Sequence, residues 1–467
     1  MLPMTAPILS ELDGEAMLYE TLDDLMRLTI HCETQDFGRP PPLLAALFEL
    51  LTGRPFERYA GAAISFVQPG RPALALSARL PIVWMRIDTR YGDLACGSGR
   101  RIELGTRLGS LPDTLLGELE AGRALLVLDW SHEGRPTFWT SNIRKIAAPY
   151  RISPQNIIVL TQNTAPPEPA DADEPDIAII NAHSFIPDFW RLFFGPRVRL
   201  GEFDAPFGFA ALAPPERDHH YVCMNDEATA TRANLVSRLV ARPEPGFVSF
   251  RKDHFRRNMP GSAAFEAELD RVSIAMERGD NSHRVHRFLS QPRNHAIDLP
   301  PGATARRDHH FLPVDALRRS ALNIVTEQEM AQPDQQRFTE KTLKAIIAGL
   351  PFVVFGNQGT IALLREAGFD VLGDFIDHSY DEEPHPAYRF ARAYAAVDEA
   401  LRRPLGFTPA EHERLEAAAA HNETVFRGQL FDAWVLSPVR QIYARHALAP
   451  PAPWTLPLGL PAPQPLH

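Results

Sequence analysis

Lysine is scarce in this chain. Of its 48 basic residues only four are lysine (Lys145, Lys252, Lys341 and Lys344), and the other 44 are arginine. Cysteine is nearly absent too. Cys32, Cys96 and Cys223 are scattered, with no disulfide framework and no C-x-x-C pair, which suits a reducing cytosol. No apolar run reaches the length of about 18 residues that a membrane span needs. The first residues, MLPMTAPILSELDGE, lack the basic and apolar regions of a signal peptide, so a cytoplasmic location is expected. Three nucleotide or catalytic signatures are missing. There is no G-x-G-x-x-G after a first strand, no G-x-x-x-x-G-K-[ST] and no G-x-S-x-G, which argues against an NAD-dependent enzyme, a P-loop NTPase and a serine hydrolase. A net charge of −10 argues against a general nucleic-acid binder.

What is present is an ordinary globular composition, 45% hydrophobic and 23% charged over 467 residues, enough for two or three domains. Residues 8–30 and 41–51 read as helices. From about residue 78 short apolar runs take over: ALLVL at 124–128, IIVL at 157–160 and IAII at 177–180. Such unbroken runs are typical of strands buried on both faces of a parallel sheet. Each ends in polar residues, among them Asp129, Gln162 and His183, and ligands of open α/β sheets bind beyond such carboxyl ends. A second strand-helix series follows APPERDH at 213–219: strands at 221–224, 247–250 and 321–325, helices at 231–240 and 360–367, then helices at 389–402 and 408–446. The expected organisation is an N-terminal α/β domain over 1–215, a C-terminal Rossmann-like domain over 216–405, helices over 406–446 and a proline-rich tail over 447–467.

The segment 338–356, FTEKTLKAIIAGLPFVVFG, concentrates two of the four lysines on the first turns of one helix. Lysines at a helix start are unfavourable for the helix alone, because the dipole is positive there. They make sense if a negative group such as a diphosphate sits beside them. The competing reading is a pair of solvated lysines on an exposed face.

This segment, with SALNIVTE before it and LREAGFDVLGDFIDHSYD after it, resembles a motif of glycosyltransferases of bacteria and phages. That motif is similar in turn to the donor-binding segment of the α-1,3-fucosyltransferases. The two successive α/β halves with a linker between them suggest two Rossmann-like domains facing a cleft, the layout of the glycosyltransferase B architecture. The resemblance implies that Glu340, after Thr339, holds sugar or ribose hydroxyls and that Lys341 holds the diphosphate. Lys344 would be a supporting charge, and Glu327 matches the acidic residue after the preceding strand. CMNDEATATRANLVSRL at 223–239 resembles the second donor patch of the family, with Asn225 and Arg232 matching. Where the family has arginines directly after the Asn, this chain has Asp226 and Glu227.

Sugar transfer with inversion needs a general base on the acceptor hydroxyl. LVLDWSHEG at 126–134 offers Glu133 first and Asp129 next, the alternative being a helix cap and an exposed Glu, and His183 is a weaker candidate. The carboxylates Asp374, Asp377 and Asp381 read as caps and loop ties, not as a metal site. The two Asp-His-His triplets at 218–220 and 308–310 do not chelate well, since neighbouring strand residues point to opposite faces. No metal and no cofactor are expected. The partners are a sugar nucleotide and a glycan or other hydroxyl acceptor, with no nucleic acid. The alternative is a degenerate, non-catalytic nucleotide- or partner-binding protein, which Asp226 and Glu227 motivate.

Overall fold

The computed structural model describes residues 29–33, 43–44, 63–65, 81–86, 104–109, 111–131, 139–164, 177–194, 205–213, 217–225, 228–252, 259–291, 312–327, 330 and 335–447. The chain divides into two compact units, Met1–Val198 with Gly428–His467, and Arg199–Arg427. In chain order the first unit begins with strands β1 (Thr29–Glu33), β2 (Ala63–Ser65) and β3 (Pro81–Arg86). Helices α1 (Leu104–Gly109) and α2 (Asp113–Glu120) follow, then β4 (Leu125–Trp130), α3 (Trp139–Ala147), β5 (Ile157–Thr161), β6 (Ala178–Asn181) and α4 (Phe185–Phe194). The second unit runs β7 (His219–Met224), α5 (Ala230–Leu239), β8 (Gly246–Ser249), α6 (Ala263–Arg271), α7 (Arg278–Ser290), α8 (Val314–Arg319) and β9 (Ser320–Thr326). It continues with α9 (Glu340–Ala348), β10 (Phe352–Phe355), α10 (Thr360–Glu366), α11 (Pro386–Leu401) and α12 (Pro409–Val425). Two π-helical turns, Phe426–Leu430 and Asp432–Leu436, then lead into α13 (Ser437–Ala447).

The fold is α/β with parallel sheets. The first unit carries a six-stranded sheet in the order β2-β1-β3-β4-β5-β6, parallel except for the β1–β2 pair. β4 and β5 are buried at every position, as their unbroken apolar runs predict. Val83, Met85, Leu126, Leu128, Ile157 and Val159 pack with Leu108, Leu115 and Leu119 of α1 and α2 in one cluster. Fully burying each such side chain contributes roughly 1.5–3 kcal/mol. The expected helix at 8–30 is corrected at its end: Thr29 and Ile30 are already in β1, and β-branched residue types favour strands over helices. Residues 8–28 lie outside the described residues, and of 41–51 only Leu43 and Leu44 are described, both helical.

The second unit carries a fully parallel sheet in the order β10-β9-β7-β8. From β7 the chain moves to one side to make β8. It then returns to the other side of β7 to make β9, and moves outward again to β10. The direction therefore reverses between the adjacent strands β7 and β9. Their helices are well anchored. Ala233 and Val236 of α5 pack with Phe265, Leu269, Val285 and Phe288 of α6 and α7. At the end of α9, Gly349 takes the left-handed φ of 75°. The carbonyls of Ile347 and Ala348 there accept from the N–H groups of Gly208 (2.8 Å) and Ala210 (3.0 Å), so helix-end oxygens that would otherwise lack partners are satisfied.

Candidate functional site

The reversal between β7 and β9 fixes where a ligand should be sought. Where neighbouring strands send their connections opposite ways, the chain leaves a crevice beyond their carboxyl ends, flanked by the starts of the two following helices. Here those ends are Met224–Asn225 and Thr326–Glu327, and the helices are α5 and α9.

On the β7 side, Thr229 caps α5 by accepting from the Arg232 N–H at 3.2 Å. The backbone N–H of Thr231 donates to Glu268 of α6 at 3.1 Å. Arg232 is buried, and its Nη2 lies 3.4 Å from the carbonyl oxygens of both Thr326 and Glu327. A helix on one strand thus delivers a guanidinium to the end of the other. Asn225 is also buried. Its Oδ1 accepts from Thr326 Oγ1 at 2.5 Å, and its Nδ2 faces Cys223 Sγ at 3.3 Å. Burial pushes the Cys223 thiol up to about 12, so this cysteine stays protonated and is no nucleophile.

On the β9 side, Glu327 continues the ladder by one residue through its N–H to the Phe355 carbonyl at 2.9 Å. Its buried carboxylate accepts from Thr339 N (3.0 Å), Thr339 Oγ1 (2.7 Å) and Thr342 Oγ1 (2.5 Å). Thr339 is the cap of α9. Its Oγ1 accepts from the Lys341 N–H at 3.3 Å and lies 3.5 Å from Lys341 Nζ. Lys341 Nζ in turn pairs with Glu340 Oε1 at 2.5 Å, the carboxylate being nearly buried and the ammonium about one quarter exposed (side chains 8% and 27%). Lys344 sits one turn further on, half-buried.

Six of the nine expected site residues are therefore brought to one place: Asn225, Arg232, Glu327, Thr339, Glu340 and Lys341. Thr326 and Thr342 belong with them and were not singled out from the sequence. Thr342 stands three residues after the cap, on the same helix face as Thr339, and that spacing is the signal that could have found it. Asp226 and Glu227 lie outside the described residues.

The proposed acceptor base fares differently. Asp129 is fully buried, and its carboxylate accepts from Leu43 N (3.1 Å), Trp84 Nε1 (3.0 Å) and Ser131 N (2.9 Å). Burial raises its pKa against the pull of those donors. In this geometry it ties β4 to its surroundings and presents no oxygen to a ligand. Glu133 lies outside the described residues. His183 is buried, with its N–H on the Trp434 carbonyl at 3.1 Å and its ring edge-on to Phe185 and Trp434.

The remaining carboxylates hold the fold. Asp381 caps α10 through the Ala362 N–H at 3.0 Å, Asp377 takes the Ser379 N–H and hydroxyl at 2.9 Å each, and Asp374 pairs with Arg414 at 2.9 Å. His219 stacks on Phe247 with centroids 3.9 Å apart and holds Asp218. The triplet at 308–310 lies outside the described residues. Among the described residues no cluster of His, Cys, Asp and Glu could hold a metal ion, and no helix is long and apolar enough to cross a membrane. Buried Arg389 is the positioning group that the sequence concealed: it donates to Gly356 O (3.1 Å), Glu383 O (2.6 Å) and Met330 O, pinning the segments that follow β9 and β10.

No protein-family model matches the chain, and no curated protein matches it significantly. Among solved structures it is similar to an alpha,alpha-trehalose-phosphate synthase (UDP-forming) from Burkholderia vietnamiensis. The match has 12% identity, spans 77% of this chain and 72% of that one, and has a TM-score of 0.33. The fucosyltransferase-like reading of the segment at 338–356 rests on the residues themselves.

Proposed function

We propose that this chain is a glycosyltransferase that moves a sugar from a nucleoside-diphosphate sugar to a hydroxyl acceptor without a metal ion. The observation that carries this reading is the convergence of a buried arginine and a partly exposed lysine at the reversal between β7 and β9. As the bond from the anomeric carbon to the diphosphate breaks, negative charge builds on the departing oxygen. Arg232 and Lys341 are fixed cations for that charge, and no metal is needed to supply it. Removing one such group typically costs about 10²–10³ in kcat. When the phosphate takes the Lys341 ammonium, Glu340 Oε1 would accept a sugar or ribose hydroxyl in its place. Asn225, Glu327 and Thr339 shape the site, Lys344 adds a supporting charge, and Glu133 is the proposed acceptor base.

A second reading is a nucleotide-binding protein without turnover, favoured by Asp226 and Glu227 directly after Asn225, where like charge opposes a diphosphate. Incubation with GDP-, UDP-, ADP- and CMP-sugars separates the two. Release of free sugar or its transfer, lost in Glu340→Ala, supports the transferase. Tight nucleotide binding with no turnover of any donor and acceptor pair supports the second reading.

A further inference from the structure

Both helices that open onto the strand reversal already have a carboxylate of the chain itself at their start. Glu268 takes the N–H of Thr231 in α5, and Glu327 takes the N–H of Thr339 at the start of α9. A helix N-terminus favours an anion, and here that place is filled from within. A phosphate pushed into the same place would meet half-buried Glu268 at α5 or buried Glu327 at α9 at close range.

We infer that Glu327 is a positioning residue. It supplies the permanent anion at the start of α9, orients the Thr339 hydroxyl, and so leaves the phosphates to the side chains of Lys341 and Arg232. The inference rests on the nucleoside-diphosphate reading of the site. The chemistry is one of proton direction. A threonine hydroxyl has one proton to give. Thr339 gives its proton to Glu327 Oε2 at 2.7 Å, so on its other side Oγ1 can only accept. That side receives the Lys341 N–H at 3.3 Å and faces the Lys341 ammonium at 3.5 Å. Thr342 likewise gives its proton to Glu327 Oε1. The carboxylate thereby sets an acceptor 3.5 Å from the Lys341 ammonium, beside the Glu340 carboxylate that pairs with it.

Glu327→Gln keeps the shape and breaks this logic in either amide orientation. With Nε2 toward Thr339 Oγ1, the hydroxyl becomes an acceptor there and turns its proton toward Lys341. With Nε2 on the other side, the amide meets the Thr339 N–H donor to donor.

The test measures the affinity of the full-length wild type, Glu327→Gln, Lys341→Ala and the double variant for UDP, GDP, ADP and CDP by calorimetry, using the tightest binder. If Glu327 acts through Lys341, Glu327→Gln weakens binding about tenfold or more alone but under about twofold in the Lys341→Ala background. Thr339→Ser keeps wild-type affinity, and Thr339→Val behaves like Glu327→Gln. Without ligand, amide exchange at Thr339 and Lys341 quickens in Glu327→Gln. Equal weakening in both backgrounds, an unweakened Glu327→Gln variant or unchanged exchange overturns the assignment while the site reading stands. A wild type that binds none of the four nucleotides overturns both.

Discussion

At the scale of single residues, the molecule distinguishes carboxylates by what surrounds them. Asp129 accepts three donors in full burial, whereas Glu340 shares its charge with a partly exposed ammonium. The first arrangement is a tie and the second is an exchangeable pair. Asp129→Asn therefore turns an amide N–H toward a donor. It should lower unfolding free energy by about 1–3 kcal/mol in urea denaturation, with nucleotide affinity unchanged. A variant as stable as wild type would remove the structural role. Which carboxylate was which could not be read from the letters. LVLDW and FTEK both place an acid beside a strand or helix end, and burial depends on partners as distant as Leu43 and Trp84. Lys341 stands out in the sequence because lysine is rare here and this one falls at a helix start, where the dipole disfavours a cation.

At the scale of elements, the stretch from β9 through α11 is the best determined by sequence. Strand β10, with its four buried residues, and helices α9 and α10 fall where apolar runs, caps and the glycines at 349 and 368 place them. What the pattern hides is the polar wiring between elements. The β10 N–H of Val354 donates to Tyr380 Oη at 2.9 Å, and His378 Nδ1 lies 3.1 Å from that oxygen. His378 Nε2 lies 2.8 Å from the Val371 carbonyl and must donate to it, so Nδ1 accepts from Tyr380 and the ring is neutral. Burial lowers the pKa of His378 from 6.5 to about 4. The unfolded chain thus binds the proton more readily between those values. This contribution to stability is present above pH 6.5 and is lost as pH falls toward 4, on the order of 3 kcal/mol. Thermal unfolding followed across that window should show the loss in wild type. The pH dependence should be shallower in His378→Asn, which is also less stable at neutral pH. Parallel pH profiles for the two proteins would contradict the assignment. Gly246 offers a second check. A Cβ there would lie 2.3 Å from the Tyr221 ring, whose hydroxyl is anchored on the Leu239 carbonyl. Gly246→Ala should cost about 1–3 kcal/mol in calorimetric unfolding, and a neutral effect would show that the β7–β8 edge yields.

At the scale of the whole molecule, the chain carries a net charge of −10, which repels anions at long range. On the proposed function, the local cations at the reversal of β7 and β9 would draw a nucleotide in at short range. Nucleotide affinity should accordingly fall as salt is raised, and an affinity indifferent to salt would speak against ionic contacts. The sequence made the α/β class and the parallel strands legible through their apolar runs. The strand order did not follow from those runs, because nothing local says that β9 returns to the far side of β7. Strands β1 to β3 were missed because TIHCE, AIS and PIVWMR are short or mixed in polarity. The central claim is that Lys341 and Arg232 hold a diphosphate at that reversal. Its most direct test is a calorimetric titration of the full-length wild type, Lys341→Ala and Arg232→Ala with UDP, GDP, ADP and CDP. The account predicts that at least one nucleotide binds wild type and that each substitution weakens it about tenfold or more. Wild-type affinity retained in both variants would contradict it.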